Sequence, residues 1–177
     1  MRRRAQLLPW LVAVLAMLVC GGVAGAAPVT LVAVADAYVY ELQPDRSYGS
    51  NVALRTDNSP LLRSFVRFDV QGLVGGESVL VRVFAQTSSN QGVELHRVVD
   101  TNWAESAITF NSAPAMGAVV GSSGPVVAGS WVTFDVTAEV SGDGLVSFAL
   151  TRSSNTATRF SSSEGTHPPE LVITGGV

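Results

Sequence analysis

Two short segments of the chain, residues 65–70 (FVRFDV) and 131–136 (WVTFDV), alternate strictly between two sets of side chains. A period of two is typical of a β-strand with one buried face. The first face carries only valine and phenylalanine: Val66, Phe68, Val70, Val132, Phe134 and Val136. The second face begins with an aromatic residue, Phe65 or Trp131. We expect both strands to lie in one curved layer, so that their second faces form one open trough. In the alternative interpretation, both aromatic rings are buried in a second layer of the core.

The remaining chain from residue 27 onward shows short apolar runs without sustained helical periodicity. Gly, Ser, Asn, Asp and Pro separate the runs, and these residue types favour turns. The runs predict strands at residues 30–34, 37–40, 52–55, 64–70, 79–86, 92–98, 107–110, 130–136, 145–151, 157–160 and 170–174. Many short strands at this spacing favour an all-β, antiparallel sandwich or barrel in a single domain.

The first 26 residues have the layout of a secretory signal peptide. A basic start (MRRR) precedes an apolar stretch, and small residues follow at positions 24–26. A retained membrane helix is the alternative, although the apolar stretch is short for one. Lipid attachment at Cys20 is disfavoured because Val19 precedes it. We expect a secreted, extracellular chain beginning near Ala27, with no membrane contact after cleavage and no cysteine for a disulfide.

The charge of the chain limits the kinds of partner that it can bind. The whole chain contains 177 residues, with 47% hydrophobic and 14% charged residues. It has no lysine, and beyond residue 26 eight arginines face fourteen acidic residues, a net charge of −6. Nucleic-acid binding requires clustered positive charge, so this composition argues against a nucleic-acid partner.

Several ordered segments of the chain resemble one family of secreted modules. The segments are ADAYV (35–39), the turn at 48–49, SFVRFDVQGLVGG (64–76), VELHRVVDTNWAESAITFNSAPAMG (93–117), SWVTFDVTAEV (130–140) and RFSSSEGTHPPELVIT (159–174). The most specific segment is 93–117, which contains a Trp-x-Glu motif, then an Ile-Thr-aromatic motif and then an Asn-x-x-Pro motif. Residues 27–177 thereby resemble DNRLRE domains, which are grouped with carbohydrate-binding module family 96.

The resemblance implies a jelly-roll-like β-sandwich that binds a polysaccharide and performs no catalysis. An acidic polysaccharide such as alginate is the ligand that the group suggests. Two departures reduce the positive charge for such a ligand: the complete absence of lysine, and Ser163 where relatives often carry a basic residue before Glu164.

The candidate binding residues are arginines on alternating strands together with two aromatic residues. Sugar rings stack on aromatic faces, and the planar arginine fork matches a uronate carboxylate. We expect a groove formed by Arg55, Phe65, Arg67, Arg82 and Trp131. In the alternative interpretation, the arginines are surface charges paired with the carboxylates of Asp57, Asp69 and Glu77.

Other chemistry has weaker support. Asp36 and Glu164, with Glu170, are candidate ligands for a structural calcium ion, but no dense acidic loop accompanies them. No nucleophile elbow or other catalytic motif is found, so we expect no enzyme and no required cofactor. Trp103 is better interpreted as a structural plug, with Glu105 accepting backbone amides, than as a platform for a sugar.

A non-lectin function stays open as the alternative. The first strand region, residues 30–40, is strongly apolar. A sandwich with such a strand at an edge could pair with a second copy of the chain. The alternative is therefore a structural or adhesive surface protein that self-associates through strand edges.

Overall fold

The computed structural model describes residues 27–175. The predicted signal peptide, with the alternatives considered for it, lies outside the described residues. The strands are β1 (Val29–Val32), β2 (Ala35–Tyr40), β3 (Ala53–Asn58), β4 (Leu61–Val70), β5 (Ser78–Phe84), β6 (Glu94–Val98), β7 (Met116–Ser122), β8 (Trp131–Asp135), β9 (Gly144–Thr151), β10 (Thr158–Ser161) and β11 (Glu170–Thr174). Within this part of the chain, no helix is long and apolar enough to cross a membrane.

The strands form two sheets packed face to face, which confirms the predicted antiparallel β-sandwich in one domain. The smaller sheet has the order β1-β11-β5-β8, and the larger has the order β10-β3-β4-β9-β6-β7, with β2 also paired to β4. All the pairings are antiparallel. The first and last strands are neighbours, since Val29 pairs with Ile173 at one end of the smaller sheet.

The core lies between the sheets and is formed by the alternating apolar positions. Val66, Phe68 and Val70 of β4 are 0% exposed. Val132, Phe134 and Val136 on and after β8 are also buried in the same cluster. The side-chain alternation thus assigns the inner face of both strands correctly, because successive side chains in a strand point to opposite faces.

The two sheets approach each other at β5 and β10. Ala85, just beyond β5, pairs with Phe160 of β10. The Gln86 N–H donates to the Arg159 carbonyl at 2.9 Å. The outward side of the smaller sheet is therefore continuous, along this line, with that of β10 and β3.

One predicted strand is absent and one observed strand was not predicted. Residues 107–110 form no strand; Ile108 is buried, and its N–H donates to the Ala104 carbonyl in a turn. Instead β7 follows, with the glycine-containing sequence MGAVVGS at the edge of the larger sheet. Glycine weakens the sequence signal for a strand, and β7 forms by pairing with β6 across two register shifts.

The prediction of one layer containing both alternating strands is wrong. β4 belongs to the larger sheet and β8 to the smaller one. Alternation specifies which side chains face inward but carries no information about which sheet a strand joins. The second faces of the two strands therefore lie on opposite sides of the molecule and cannot form one trough.

Candidate functional site

Phe65 is not available to a ligand. It is 1% exposed and belongs to a second apolar cluster with Trp103 and Ile108, on the outer face of the larger sheet. The Phe65 and Trp103 rings meet edge to face, with centroids 6.2 Å apart. The segment between β6 and β7 thus covers this face of the sheet, and of the two interpretations for Phe65 the second core layer is correct.

Arg67 holds the same covering segment in place. Its Nη1 donates to the backbone carbonyls of Thr101 at 2.8 Å and Trp103 at 2.6 Å. Its guanidinium also lies over the Trp103 ring, 5.0 Å from the centroid. Because the donor group is occupied by backbone, Arg67 acts as a structural residue, in contrast to the expected position in a groove.

Trp103 is buried as the sequence interpretation predicts, at 7% exposure. Its Nε1 donates to the Ser147 Oγ at 3.2 Å. Glu105 accepts a backbone amide, but from β2 rather than from its own loop: the Asp36 N–H donates to Glu105 Oε1 at 2.8 Å.

The three predicted arginines are not brought together. Arg55 lies on β3, Arg67 lies under the covering segment, and Arg82 lies on β5 of the other sheet. The proposed acidic partners are engaged elsewhere: Asp57 and Glu77 accept backbone amides, and Asp69 accepts from the Gln71 amide. Among the described residues, the alternative of surface ion pairs with these three acids is therefore not seen either.

Arg55 instead belongs to a group that we call the tyrosine–arginine cluster. Its members are Tyr38, Arg46, Tyr48, Arg55 and Arg159. Arg55 and Arg159 face each other across the β3–β10 ladder. Their neighbours Leu54 and Phe160 point into the core, so both arginines point away from it.

The two tyrosine rings of this cluster stack with centroids 4.3 Å apart. The Arg55 guanidinium carbon is 5.4 Å from the Tyr38 centroid, and that of Arg46 is 5.0 Å from the Tyr48 centroid. Gly49 fixes the turn behind them, because a Cβ there would lie 2.1 Å from the Glu105 carbonyl oxygen. Only glycine therefore lets the turn approach closely enough to place Tyr48 over Tyr38.

The charges of this cluster are unbalanced. Within residues 27–175, Arg46, Arg55 and Arg159 form no ion pair with an acidic side chain. Burial raises the pKa of Tyr38 above its usual value, and the positive charges of the three arginines oppose that rise. Since Tyr38 is only 3% exposed, Tyr48 and the arginines supply the accessible surface.

Arg82 and Trp131 belong to a different group, the tryptophan cluster, whose members are Arg82, Phe84, Trp131, His167 and Glu170. The Arg82 guanidinium carbon lies 4.6 Å from the Trp131 ring centroid. Phe84 pairs with Trp131 across the β5–β8 ladder, and His167 stacks on Phe84 at 3.9 Å between centroids. The structure thus brings two of the five predicted residues together.

The tryptophan cluster carries a balanced charge. The Arg82 Nε donates to Glu170 Oε2 in a short ion pair, and the two residues are also direct strand partners. Both side chains are partly exposed, at 34% for Arg82 and 16% for Glu170. The guanidinium is therefore already paired before any ligand arrives.

Asp36 and Glu164, the predicted calcium ligands, lie near each other, and Glu105 is close to both. The Ser163 N–H donates to Asp36 Oδ2 at 2.7 Å, while Asp36 Oδ1 is buried without a partner. Burial, together with the negative charges of Glu164 and Glu105, raises the pKa of Asp36 to about 7, although the hydrogen bonds from Ser163 oppose the rise. Glu170, the third candidate ligand, pairs with Arg82 instead. Within residues 27–175, no group of three His, Cys, Asp or Glu side chains is placed to hold a metal ion.

Sequence reasoning missed Arg46, Tyr48, Arg159, Phe84 and His167 as site residues. The signal for Arg159 was present, because it alternates with core residues exactly as Arg55 does. Arg46 and His167 lie in turns, whose contacts the local pattern does not specify.

A further cavity of about 440 Å³ lies at residues 73–79 and 137–142, but its lining contains neither an arginine nor an aromatic ring.

The fold and its surface define the class of protein as an antiparallel β-sandwich with two surface clusters of arginine and aromatic side chains. The family model described as carbohydrate-binding module family 96 matches residues 27–175. The chain belongs to this family, and is thus a carbohydrate-binding module. Among the curated proteins, none matches the chain.

Proposed function

We propose that the chain binds an acidic polysaccharide through the tyrosine–arginine cluster, without catalysis and outside the cell. One observation carries this proposal: Arg46 and Arg55 lie over two stacked tyrosine rings, Arg159 faces Arg55, and none of the three has an acidic partner within residues 27–175. A guanidinium donates two parallel hydrogen bonds to a carboxylate, so a uronate residue supplies the missing negative charge. Tyr48, the partly exposed member of the pair, offers an apolar surface for the sugar ring.

The remainder of the domain carries a net negative charge, which would repel a polyanion at long range. The local excess of positive charge at this cluster therefore has to provide the attraction, and the Debye length of about 10 Å at 0.1 M salt keeps distant charges from opposing it. The local positive charge of the three arginines therefore supports a uronate ligand despite the absence of lysine.

Affinity electrophoresis in gels containing alginate or an uncharged β-glucan tests the proposal. The wild-type module should be retarded by alginate and not by the glucan. Arg55→Gln should lose most of the retardation. Arg63→Gln is the matched control, since it removes one charge from β4 at a side chain that lies over Phe110 rather than over the tyrosines. Equal retardation of both variants would overturn the assignment.

Self-association is a second candidate, favoured by one observation on the smaller sheet. Its edge strand β1 leaves Val29 and Val32 about half exposed, at 50% and 53%. An uncovered edge with apolar side chains can pair with another copy of the chain. Size-exclusion chromatography over a range of concentrations tests this; a monomer at every concentration would dismiss an assembly function.

A further inference from the structure

The two clusters are joined by a line of outward-pointing side chains. Arg82, Phe84 and Gln86 follow one another at every second position of β5 and its extension, so they share the outward side. Gln86 is hydrogen-bonded to the Arg159 backbone, and Arg159 lies opposite Arg55. The path therefore runs from the tryptophan cluster to the tyrosine–arginine cluster without crossing the core.

The length of this path suits an extended sugar chain. One two-residue step from Phe84 to Gln86 and two steps between strands, to Arg159 and then to Arg55, give a path of roughly 16 Å along the surface. Because these steps are perpendicular, the straight distance from the Phe84 Cα to the Arg55 Cα is roughly 12 Å. Gln86 and Arg159 are both exposed along it. The side chain of Ser161, which lies next to this path on β10, is not accessible to a ligand. It is 1% exposed and accepts a hydrogen bond from the His167 N–H. The turn that carries His167 thus borders the open path on one side.

The charge changes along the path. At one end, Arg46, Arg55 and Arg159 have no acidic partner in the described part of the chain, while at the other Glu170 neutralises Arg82. A second uronate beside Glu170 would meet like charge, whereas an uncharged sugar could accept hydrogen bonds from Arg82 and donate them to Glu170. Trp131 adds an aromatic surface at this end.

We infer that the two clusters form one binding strip for a heteropolysaccharide that carries uronate and uncharged sugars in the same chain. The uronate lies at the tyrosine–arginine cluster and an uncharged sugar at the tryptophan cluster. This inference rests on the proposed function, since it requires the uronate to bind near Arg55, and it adds the composition of the ligand and a second contact.

Calorimetric titration with deacylated gellan, which carries glucuronate and neutral sugars in one repeat, tests the strip against alginate. Gellan should bind more tightly than alginate. Trp131→Leu should weaken gellan binding about tenfold, which corresponds to the loss of roughly 1.4 kcal/mol of aromatic contact, and change alginate binding less than about twofold. Trp131→Phe, which keeps a ring at this position, should retain most of the gellan affinity, and thermal unfolding verifies that each variant folds.

The outcomes separate the two proposals. Alginate binding that depends on Arg55, with gellan binding insensitive to Trp131, would overturn the strip and leave the proposed function intact. A wild-type module that binds neither polymer would overturn both. Equal loss of both polymers in Trp131→Leu would also refute the strip, because it would place uronate at both ends.

Discussion

The tyrosine–arginine cluster and the tryptophan cluster contain similar side chains but differ in charge balance. Each places a guanidinium about 5 Å from an aromatic ring centroid. Within residues 27–175, the arginines of the first cluster lack acidic partners, whereas Glu170 pairs with Arg82 in the second. An arginine beside an aromatic ring therefore does not define a ligand until its counter-charge is known. In the binding strip that we propose, the residues opposite and beside each arginine decide between an acidic and an uncharged sugar.

The largest effect is expected from a variant that removes two of the three unbalanced positive charges. In the double variant Arg55→Gln/Arg159→Gln, alginate affinity should fall about 100-fold or more, because hydrogen bonds to charged groups contribute about 1.5–3 kcal/mol each. Calorimetric titration measures the loss. Binding within about threefold of wild type would show that the two clusters do not differ in the way described.

The second prediction concerns Asp36, which connects the elements that carry the two clusters. It lies on β2 beside Tyr38, and its carboxyl group accepts the amide of Ser163 in the turn before His167. Burial is the main cause that raises its pKa from 3.8 to about 7, and the carboxylates of Glu105 and Glu164 contribute to the same rise. Between these two pH values the unfolded chain has released the proton that the folded chain still holds.

The contribution of Asp36 to stability should therefore be fully present below about pH 4, fall as pH rises to about 7, and then level off, with a loss of about 2–4 kcal/mol from this group. Urea unfolding across this pH range measures the slope. Asp36→Asn is the matched control, since its amide oxygen can still accept the Ser163 N–H but cannot ionise. An unchanged slope in this variant would assign the pH dependence to other groups.

The third prediction separates a binding arginine from a structural one. Arg67→Gln should destabilise the fold by about 1–3 kcal/mol, because the carbonyls of Thr101 and Trp103 lose a charged donor. Alginate binding by the folded fraction should be unchanged. Denaturant midpoints with unaltered slopes, combined with titration below the transition, measure both quantities. A stable variant that no longer binds alginate would return Arg67 to the binding site.

The smallest effect is expected from a variant that makes the charge of the tryptophan cluster resemble that of the tyrosine–arginine cluster. Glu170→Gln leaves Arg82 over Trp131 without its counter-charge, so the tryptophan cluster would acquire an unbalanced cation. Alginate affinity should rise about threefold to tenfold, corresponding to roughly 1 kcal/mol for a partly exposed charge. Val172→Gln, also on the outward side of β11, controls for an altered sheet surface. No gain in Glu170→Gln would indicate that the ion pair does not set the choice of ligand.

The sequence pattern predicts the inner faces of β4 and β8 and most of the strands, since alternation and turn residues act locally. It predicts neither the sheet to which each strand belongs nor the cover over Phe65, because both depend on contacts distant in sequence. Arg55 was selected by alternation alone, and that rule would have found Arg159 as well. The stacking of His167 on Phe84 joins residues more than eighty positions apart, and no local signal encodes it.

The pairing of the first strand with the last has a practical consequence for how the module can be attached. Val29 and Ile173 meet near Ser78, at the start of β5, whereas Phe84 lies at its other end, about 20 Å away. A carrier, a fluorescent label or a solid support joined on either side of residues 27–175 would therefore project away from the proposed binding strip. Tethering the module at both ends at once should leave that surface as accessible as tethering it at one.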